Sequence, residues 1–363
     1  MIYMDNAAST EVSENVKKVL LNTLEVFGNP SSIHKYGEDA ARVIMKTSNI
    51  IAESINCSPE EIYYTSGATM GNNAFIQGFL REHKRAKFIT STIEHNDIMS
   101  IAEYLRDIGI DVYYVPVDKK GLLNTGYLEK LLNTLDGHTV ICSFQWANSE
   151  CGVIQDMAKI SNIIHSHKNM YLHTDATQYF PYYKINVQRI KIDALTMSGQ
   201  KINCIKGTGF LYINKFITIK PIIFGEQGII GGTENVLGIA CLGEAIKSID
   251  YKIGPMAAVR DIFIEKIGKE NIVGDLIKRT PNNIYTISNK DGESMVVFLN
   301  EFGILASAGS ACSSISKEPS HVMIAMGYDE KTANNCVRFS ISRKTTIKEV
   351  DYVVDVFKKL NSI

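Results

Sequence analysis

No run of apolar residues in the 363-residue chain is long enough to cross a bilayer. The opening residues, MIYMDNAAST, have no apolar segment of the kind a secretory signal carries, so the expected location is the cytoplasm. Charge of one sign is missing too. Lys and Arg total 38 against 39 Asp and Glu, a formal net charge of −1, which gives no basic surplus for nucleic acid or an anionic membrane. The seven cysteines, Cys57, Cys142, Cys151, Cys204, Cys241, Cys312 and Cys336, form no C-x-x-C pair. A zinc site or a thioredoxin motif therefore has no support, and an odd count in a cytosolic chain argues against a disulfide framework. Most of them read as small core residues. There is no internal repeat and no low-complexity segment.

What is present is the composition of a globular protein, 45% hydrophobic and 21% charged, at a length that suits two domains. Apolar residues at helical spacing over 12–26 and 40–55 predict helices. Short apolar runs at 62–65, 87–91, 111–117, 139–143, 171–173, 194–197 and 209–213 predict strands, with helical patterns near 97–108, 127–135 and 157–167 between several of them. Alternation of this kind implies an α/β fold with a mostly parallel sheet, helices on both faces, and ligands beyond the carboxyl ends of the strands. A helix over 234–249 closes this part. Beyond it come a helix at 255–267, strands near 284–288, 304–307 and 337–341, and a last helix opened by the capping box Thr346 and Glu349. The expected division is a large domain over 13–250 and a smaller α+β domain built from 1–12 and 251–363.

The stretch from His173 to Lys201, HTDATQYFPYYKINVQRIKIDALTMSGQK, is the most informative. Two strands end in polar residues, Asp175 and Gln178 after the first, Ser198 and Lys201 after the second. A lysine that bonds covalently to a carbonyl and a carboxylate that keeps a pyridine nitrogen protonated are what pyridoxal phosphate chemistry requires. Ser66-Gly67-Ala68-Thr69 joins a strand to a helix with residues small enough for backbone N–H groups to approach a phosphate. His95 follows another strand and could stack on a ring or carry protons. Asn148, also after a strand, could donate to a ring oxygen. Cys312, in the small-residue run ASAGSACSS, sits in a poor place for a core cysteine and is a candidate reactive thiol. Arg338, in a strand, could clamp a substrate carboxylate. Each of these has an ordinary alternative taken alone: a turn Asn or Asp, a surface histidine, an arginine paired with an acid.

Taken together, the chain resembles cysteine desulfurases of the NifS/IscS type, within the class V aminotransferase family. The resemblance runs through IYMDNAAST, FGNPSSIH, YTSGAT, EHN, HTDATQ, SGQK, GTEN, SAGSACSS with EPSHV, and VRFS, and covers essentially the whole chain. It implies the fold type I of pyridoxal 5′-phosphate-dependent transferases, with Lys201 carrying the cofactor, Asp175 on its ring nitrogen and Gln178 on its ring oxygen. It implies that His95 stacks on the ring and assists proton transfers, and that Ala68, Thr69, Ser198 and Gln200 bind the phosphate. Asn148 and Arg338 would hold the carboxylate of the substrate, L-cysteine. Thr233 would reach the phosphate of a neighbouring subunit in a homodimer. Cys312 would take the sulfur as a persulfide and pass it to an acceptor protein, iron–sulfur cluster assembly and transfer RNA thiolation being among the destinations.

The chain departs from the family pattern in four places. Gln200 stands where a histidine is usual, Ile230 where an arginine is expected, Met70 and Gly71 replace a polar pair, and NSECG replaces a typical NNE-x-G. These changes leave open a related enzyme acting on selenocysteine or another amino acid, or a non-catalytic protein that binds sulfur carriers. Little chain follows the last helix, so no docking tail is expected.

Overall fold

The structure is a computed structural model that describes residues 1–225, 228–309 and 318–362. The strands are β1 (Ile2–Tyr3), β2 (Ile62–Thr65), β3 (Lys87–Ser91), β4 (Val112–Val115), β5 (Val140–Ser143), β6 (Met170–Asp175), β7 (Ala194–Ser198), β8 (Gly209–Ile213), β9 (Asn283–Ile287), β10 (Ile304–Leu305), β11 (Ser307–Ala308) and β12 (Cys336–Ser340). The helices are α1 (Glu14–Thr23), α2 (Lys35–Ile55), α3 (Ala68–Glu82), α4 (Asn96–Asp107), α5 (Thr125–Thr134), α6 (Met157–Ile164), α7 (Val187–Ile190), α8 (Val236–Lys247), α9 (Gly254–Ile267), α10 (Gly292–Glu301), α11 (His321–Ala325), α12 (Glu330–Asn334) and α13 (Ile347–Ser362).

Seven strands form the central sheet in the order β2-β8-β7-β6-β5-β3-β4. Only β8 runs against the rest, pairing antiparallel with both β7 and β2. Side chains alternate between the two faces, as a pleated strand dictates. Phe88, Ile141, Leu211 and Ile213 face a core with Phe75 and Phe79 of α3 and Ile98, Ile101 and Leu105 of α4. Ile89, Cys142, Leu195 and Tyr212 face the opposite core, filled from α2, α5, α6 and α8. Burying each such side chain contributes about 1.5–3 kcal/mol, and covering both faces is what a mostly parallel sheet requires.

The chain after 250 builds an antiparallel sheet, β11-β12-β9, and a separate core from α9, α10 and α13. The N-terminus joins this second core through Met4, with β1 beside β10 and Asp5 bridging to Ser340. Thr346 and Glu349 make the expected capping box, the Thr346 N–H donating to Glu349 Oε2 at 2.7 Å and the Glu349 N–H to Thr346 Oγ1 at 3.3 Å.

Several elements differ from the sequence reading. The strand expected over 304–307 is two strands with different partners, β10 against β1 and β11 against β12, because the chain changes sheets at Ala306. Helix α2 begins at Lys35 rather than near 40. His34 caps it by accepting the Gly37 N–H, and its first turn lacks the apolar spacing that marks the remainder. The short helices α7, α11 and α12, and α10, escaped a reading that depends on several turns of periodicity.

The parallel direction puts the carboxyl ends of β2, β3, β5, β6 and β7 at one edge. Each of those strands is followed there by candidate site residues, 66–69, 94–95, 145–148, 175–178 and 198–201.

Candidate active site

A cavity of about 390 Å³ opens at this edge, walled by the strand ends, by Ala7 and Ala8 of the N-terminal segment, and by Gly309, His321 and Arg338 of the second unit. Of the residues singled out in the sequence, Ala68, Thr69, His95, Asp175, Gln178, Ser198, Gln200, Lys201 and Arg338 all line it.

At one end stands the N-terminus of α3. Its cap residue, Gly67, has φ +147°, a backbone region open to glycine, and supplies no side chain to cap the first turn. The N–H groups of the first turn therefore face the cavity beside Ser198 and Gln200, a donor set suited to a phosphate. Gly71 lets α3 approach the sheet closely. A Cβ there would lie 2.6 Å from Thr196 Cγ2.

Asp175, at the end of β6, is buried. The Thr177 N–H donates to its Oδ1 at 2.9 Å and Asn72 Nδ2 to its Oδ2 at 3.1 Å. Burial, reinforced by the charge of Asp97, pushes its carboxyl above the usual range. A buried carboxylate so placed favours a cationic donor, which a protonated pyridine nitrogen is. Lys201, in the turn after β7, donates from Nζ to Ala7 O at 2.8 Å and to Ala8 O. Gln178 Nε2 donates to Ala7 O at 2.9 Å, so one backbone segment holds both side chains.

At the other end Arg338, on β12, donates from Nη1 to Ser149 O at 3.0 Å and from Nη2 to Asp5 Oδ1 at 2.9 Å. Its Nε is buried and has no partner among the described residues. The nearby acids are held against ionisation: burial pushes Glu94 up to about 8 and raises Glu150 as well. Glu150 accepts from Ser320 Oγ at 2.5 Å, and His321 Nε2 sits 2.8 Å from Glu94 O.

Two of the expected residues stand elsewhere. Asn148 does not line the cavity. Its Nδ2 donates to Ile93 O at 2.9 Å, and its Oδ1 accepts the Glu150 and Cys151 N–H groups, each at 2.8 Å. The amide thus braces the loop that carries Ser149 and Glu150, closing an Asx turn. Thr233 is exposed and lines a separate cavity of about 270 Å³ with Ile230 and Asn235. Cys312 lies outside the described residues.

Residues 2–353 match the family model for aminotransferase class-V. The chain belongs to the class-V aminotransferase family. It is 36% identical over 373 residues to a protein of Methanosarcina thermophila named cysteine desulfurase IscS, covering 99% of this chain and 91% of that one. A solved NifS-like protein superposes with a TM-score of 0.91 at 29% identity over the full length of both chains. A structure described as SspA in complex with cysteine gives a TM-score of 0.83 at 29% identity, covering 94% of this chain and 99% of that one. As a class-V member the chain is a pyridoxal 5′-phosphate enzyme. The cavity fits that group: a lysine for its carbonyl carbon, a buried carboxylate for its ring nitrogen and an uncapped helix N-terminus for its phosphate.

Sequence reading missed Asn72, Glu94, Asp97, Glu150 and His321, together with the Ala7–Ala8 wall. The motifs EHND and EPSHV contained some of them, but an acid in the first turn of a helix reads as a helix-terminus residue. Several of the contacts that give these residues meaning span 25 positions or more in sequence.

Proposed function

We propose that the chain is a cysteine desulfurase. It takes the sulfur of L-cysteine, releases L-alanine and leaves the sulfur on Cys312 as a persulfide. The observation that carries this is the meeting, in one cavity, of Lys201, Asp175, His95, the α3 N-terminus and an arginine with an unpartnered buried N–H. When bound, pyridoxal phosphate supplies a conjugated electron sink for the substrate's α-carbon.

The chain's own residues do the remainder. Lys201 Nζ anchors the cofactor and moves the α-proton of the substrate. Asp175 holds the ring nitrogen, Gln178 the ring oxygen, and Ala68, Thr69, Ser198 and Gln200 the phosphate. His95, which lines the same cavity, would stack on the ring and carry protons. Arg338 orients the substrate carboxylate, with Asn148 setting the position of the adjoining loop. The Cys312 thiolate attacks the substrate sulfur: an S–S bond forms as the C–S bond breaks, the electron pair of the C–S bond stays with the carbon, and that carbon takes a proton. The persulfide passes to an acceptor protein or is reduced to sulfide, and iron–sulfur cluster assembly is the proposed consumer.

A homodimer belongs to the same proposal. The exposed Leu21, Leu24, Phe27, Ile33, Tyr36 and Met45 around α1 and α2 supply apolar surface for it, and Thr233 would act across that contact. The division into a large domain over 13–250 and a small one over 1–12 and 251–363 is supported by the core of α9, α10 and α13, separate from the two cores on the central sheet, while a further cluster packs Ile93, Cys151 and Val153 against Val273, Tyr285 and Met323. Among the described residues no helix is long and apolar enough to cross a membrane and the cysteines are unpaired. A cytoplasmic location is part of the reading.

The test is product identity. Cofactor-loaded protein given L-cysteine and a thiol reductant is expected to release alanine and sulfide in equal amounts. Sulfide accompanied by pyruvate and ammonia would make it a lyase and sink the reading. Arg338→Ala is expected to raise KM for L-cysteine roughly 10- to 100-fold, the range for losing hydrogen bonds to a charged group. An unchanged KM in initial-rate measurements would remove Arg338 from substrate binding.

A further inference from the structure

One residue outside this scheme touches most of it. Asp97, at the start of α4, has a nearly buried side chain, 7% exposed. Its Oδ1 lies 2.8 Å from His95 Nδ1 and also accepts the Ile98 N–H at 2.8 Å. Its Oδ2 accepts from Asn72 Nδ2 at 3.1 Å, and the Thr69 side chain hydrogen-bonds to the same carboxyl. Asn72 Nδ2 donates equally to Asp175 Oδ2, at 3.1 Å. The two N–H bonds of one amide thus serve two carboxylates. From Asp97 one contact leads to the histidine, one to the α3 N-terminus, and one through Asn72 to Asp175.

We propose that Asp97 is a positioning residue that fixes the tautomer and charge of His95. A carboxylate only accepts, so the contact at 2.8 Å requires a hydrogen on Nδ1. The Asp97 N–H also points at Nδ1, but from 3.4 Å, and the shorter contact governs. With Nδ1 committed to Asp97, the proton that His95 exchanges with the cavity is the one on Nε2. An acid that orients an imidazole and stabilises its cation through the far nitrogen is the arrangement of hydrolytic triads. Here it is set into the cofactor wall of a class-V enzyme. Both Asp97 oxygens carry further donors, so the carboxylate cannot rotate away. Although burial opposes ionisation, the hydrogen bond from His95 holds the Asp97 carboxyl below its usual range, so the acid remains charged at neutral pH.

Among the described residues, the charged and titratable groups that line the cavity with His95 are Glu94 before it, Asp97 on α4, Glu150 after β5, Asp175 from β6, Lys201 after β7, His321 from α11 and Arg338 from β12. The Asp97 carboxylate is in direct contact with the ring, its Oδ1 2.8 Å from Nδ1. Its removal therefore lowers the proton affinity of His95.

The proposal rests on the reading of His95 as a proton carrier, but its test does not depend on turnover. In ¹⁵N-histidine-labelled holoenzyme, with His95 assigned through His95→Gln, the neutral ring is expected to carry its proton on Nδ1. Asp97→Asn keeps the shape and an accepting oxygen but removes the charge. It is expected to lower the apparent pKa of His95 by about one pH unit, the low end for losing a close opposite charge. The acid limb of the rate of alanine formation should move with it, and Asp97→Glu should restore both in part. An Nε2–H neutral tautomer in the wild type would overturn the proposal without any variant. So would an Asp97→Asn protein whose His95 titration is unchanged, whatever its thermal stability. Failure of desulfuration with the expected titration would contradict the proposed function and leave Asp97 in its assigned role.

Discussion

Lys201→Ala is expected to lower alanine formation from L-cysteine by roughly 10⁴-fold or more, the scale of losing a covalent anchor and a proton-transfer group together. The absorbance of the covalently held cofactor should vanish with it. The expectation follows from position. Lys201 follows β7 in a tight turn, its amine gripped by Ala7 O and Ala8 O at the cavity wall, with the Asp175 carboxyl and the α3 N-terminus lining the same space. In the described cavity wall the only other basic side chains are Arg338, engaged with Asp5 and Ser149, and the two histidines. Among the described residues of the wall, no other amine stands ready to replace it. Cofactor retained without covalent attachment is compatible with the account, because Asp175 and the phosphate donors remain. Retained turnover is not.

Cys312→Ala is expected to leave that absorbance intact and to abolish sulfide release. The two variants separate the halves of the reaction. In the proposed reaction Lys201 acts on the α-carbon and Cys312 receives the sulfur, and no residue of the described wall is a thiol. The described cysteines argue for the same assignment. Burial raises Cys142, Cys151, Cys204, Cys241 and Cys336, and Cys57 is pushed up to about 12, so each resists becoming the thiolate that sulfur transfer needs. Selenocysteine is the informative control. Selenium leaves carbon more easily than sulfur, so a lyase reaction on selenocysteine is expected to survive in Cys312→Ala while the reaction on cysteine does not. A variant that desulfurates cysteine normally would refute the role of Cys312.

The sequence carried the order of the central elements because short apolar runs bounded by turns mark β2, β3 and β8 sharply. The carboxyl ends of β2 and β3, read as β-to-loop junctions, are among the strand ends where the cavity lies. It carried less of the second unit. There β10 and β11 are two residues each and are defined by partners more than 30 positions away, Arg338 pairing with Ser307 and Ile2 with Ile304. Within the site, Lys201, Asp175 and Arg338 were legible because charged groups at strand ends or within strands are unusual. Asn148 has two readings in sequence, because the same amide that suits a ligand also closes an Asx turn, and here it donates to Ile93 O and accepts the Glu150 N–H. Asp97 was invisible as a partner of His95, since a first-turn acid needs no other explanation.

The departures at Gln200 and Met70 now have a physical setting. Both line the cavity at the α3 end, where Ser66 directs its N–H and Oγ toward Met70 Sδ at 3.3 Å. The described phosphate donors there are neutral, namely backbone N–H groups, hydroxyls and an amide. Cofactor binding at that end thus depends on hydrogen bonding and the helix terminus rather than on a side-chain cation.

The most direct test of the central claim follows the sulfur atom. Cofactor-loaded protein is given a small excess of L-cysteine without reductant, then divided for alanine determination and for mass measurement of the peptide containing Cys312. The account predicts, in the first turnover, one alanine for each Cys312 peptide heavier by one sulfur atom, an increment removed by dithiothreitol. Alanine formed with no added mass on that peptide, or the added mass on another cysteine, would contradict it.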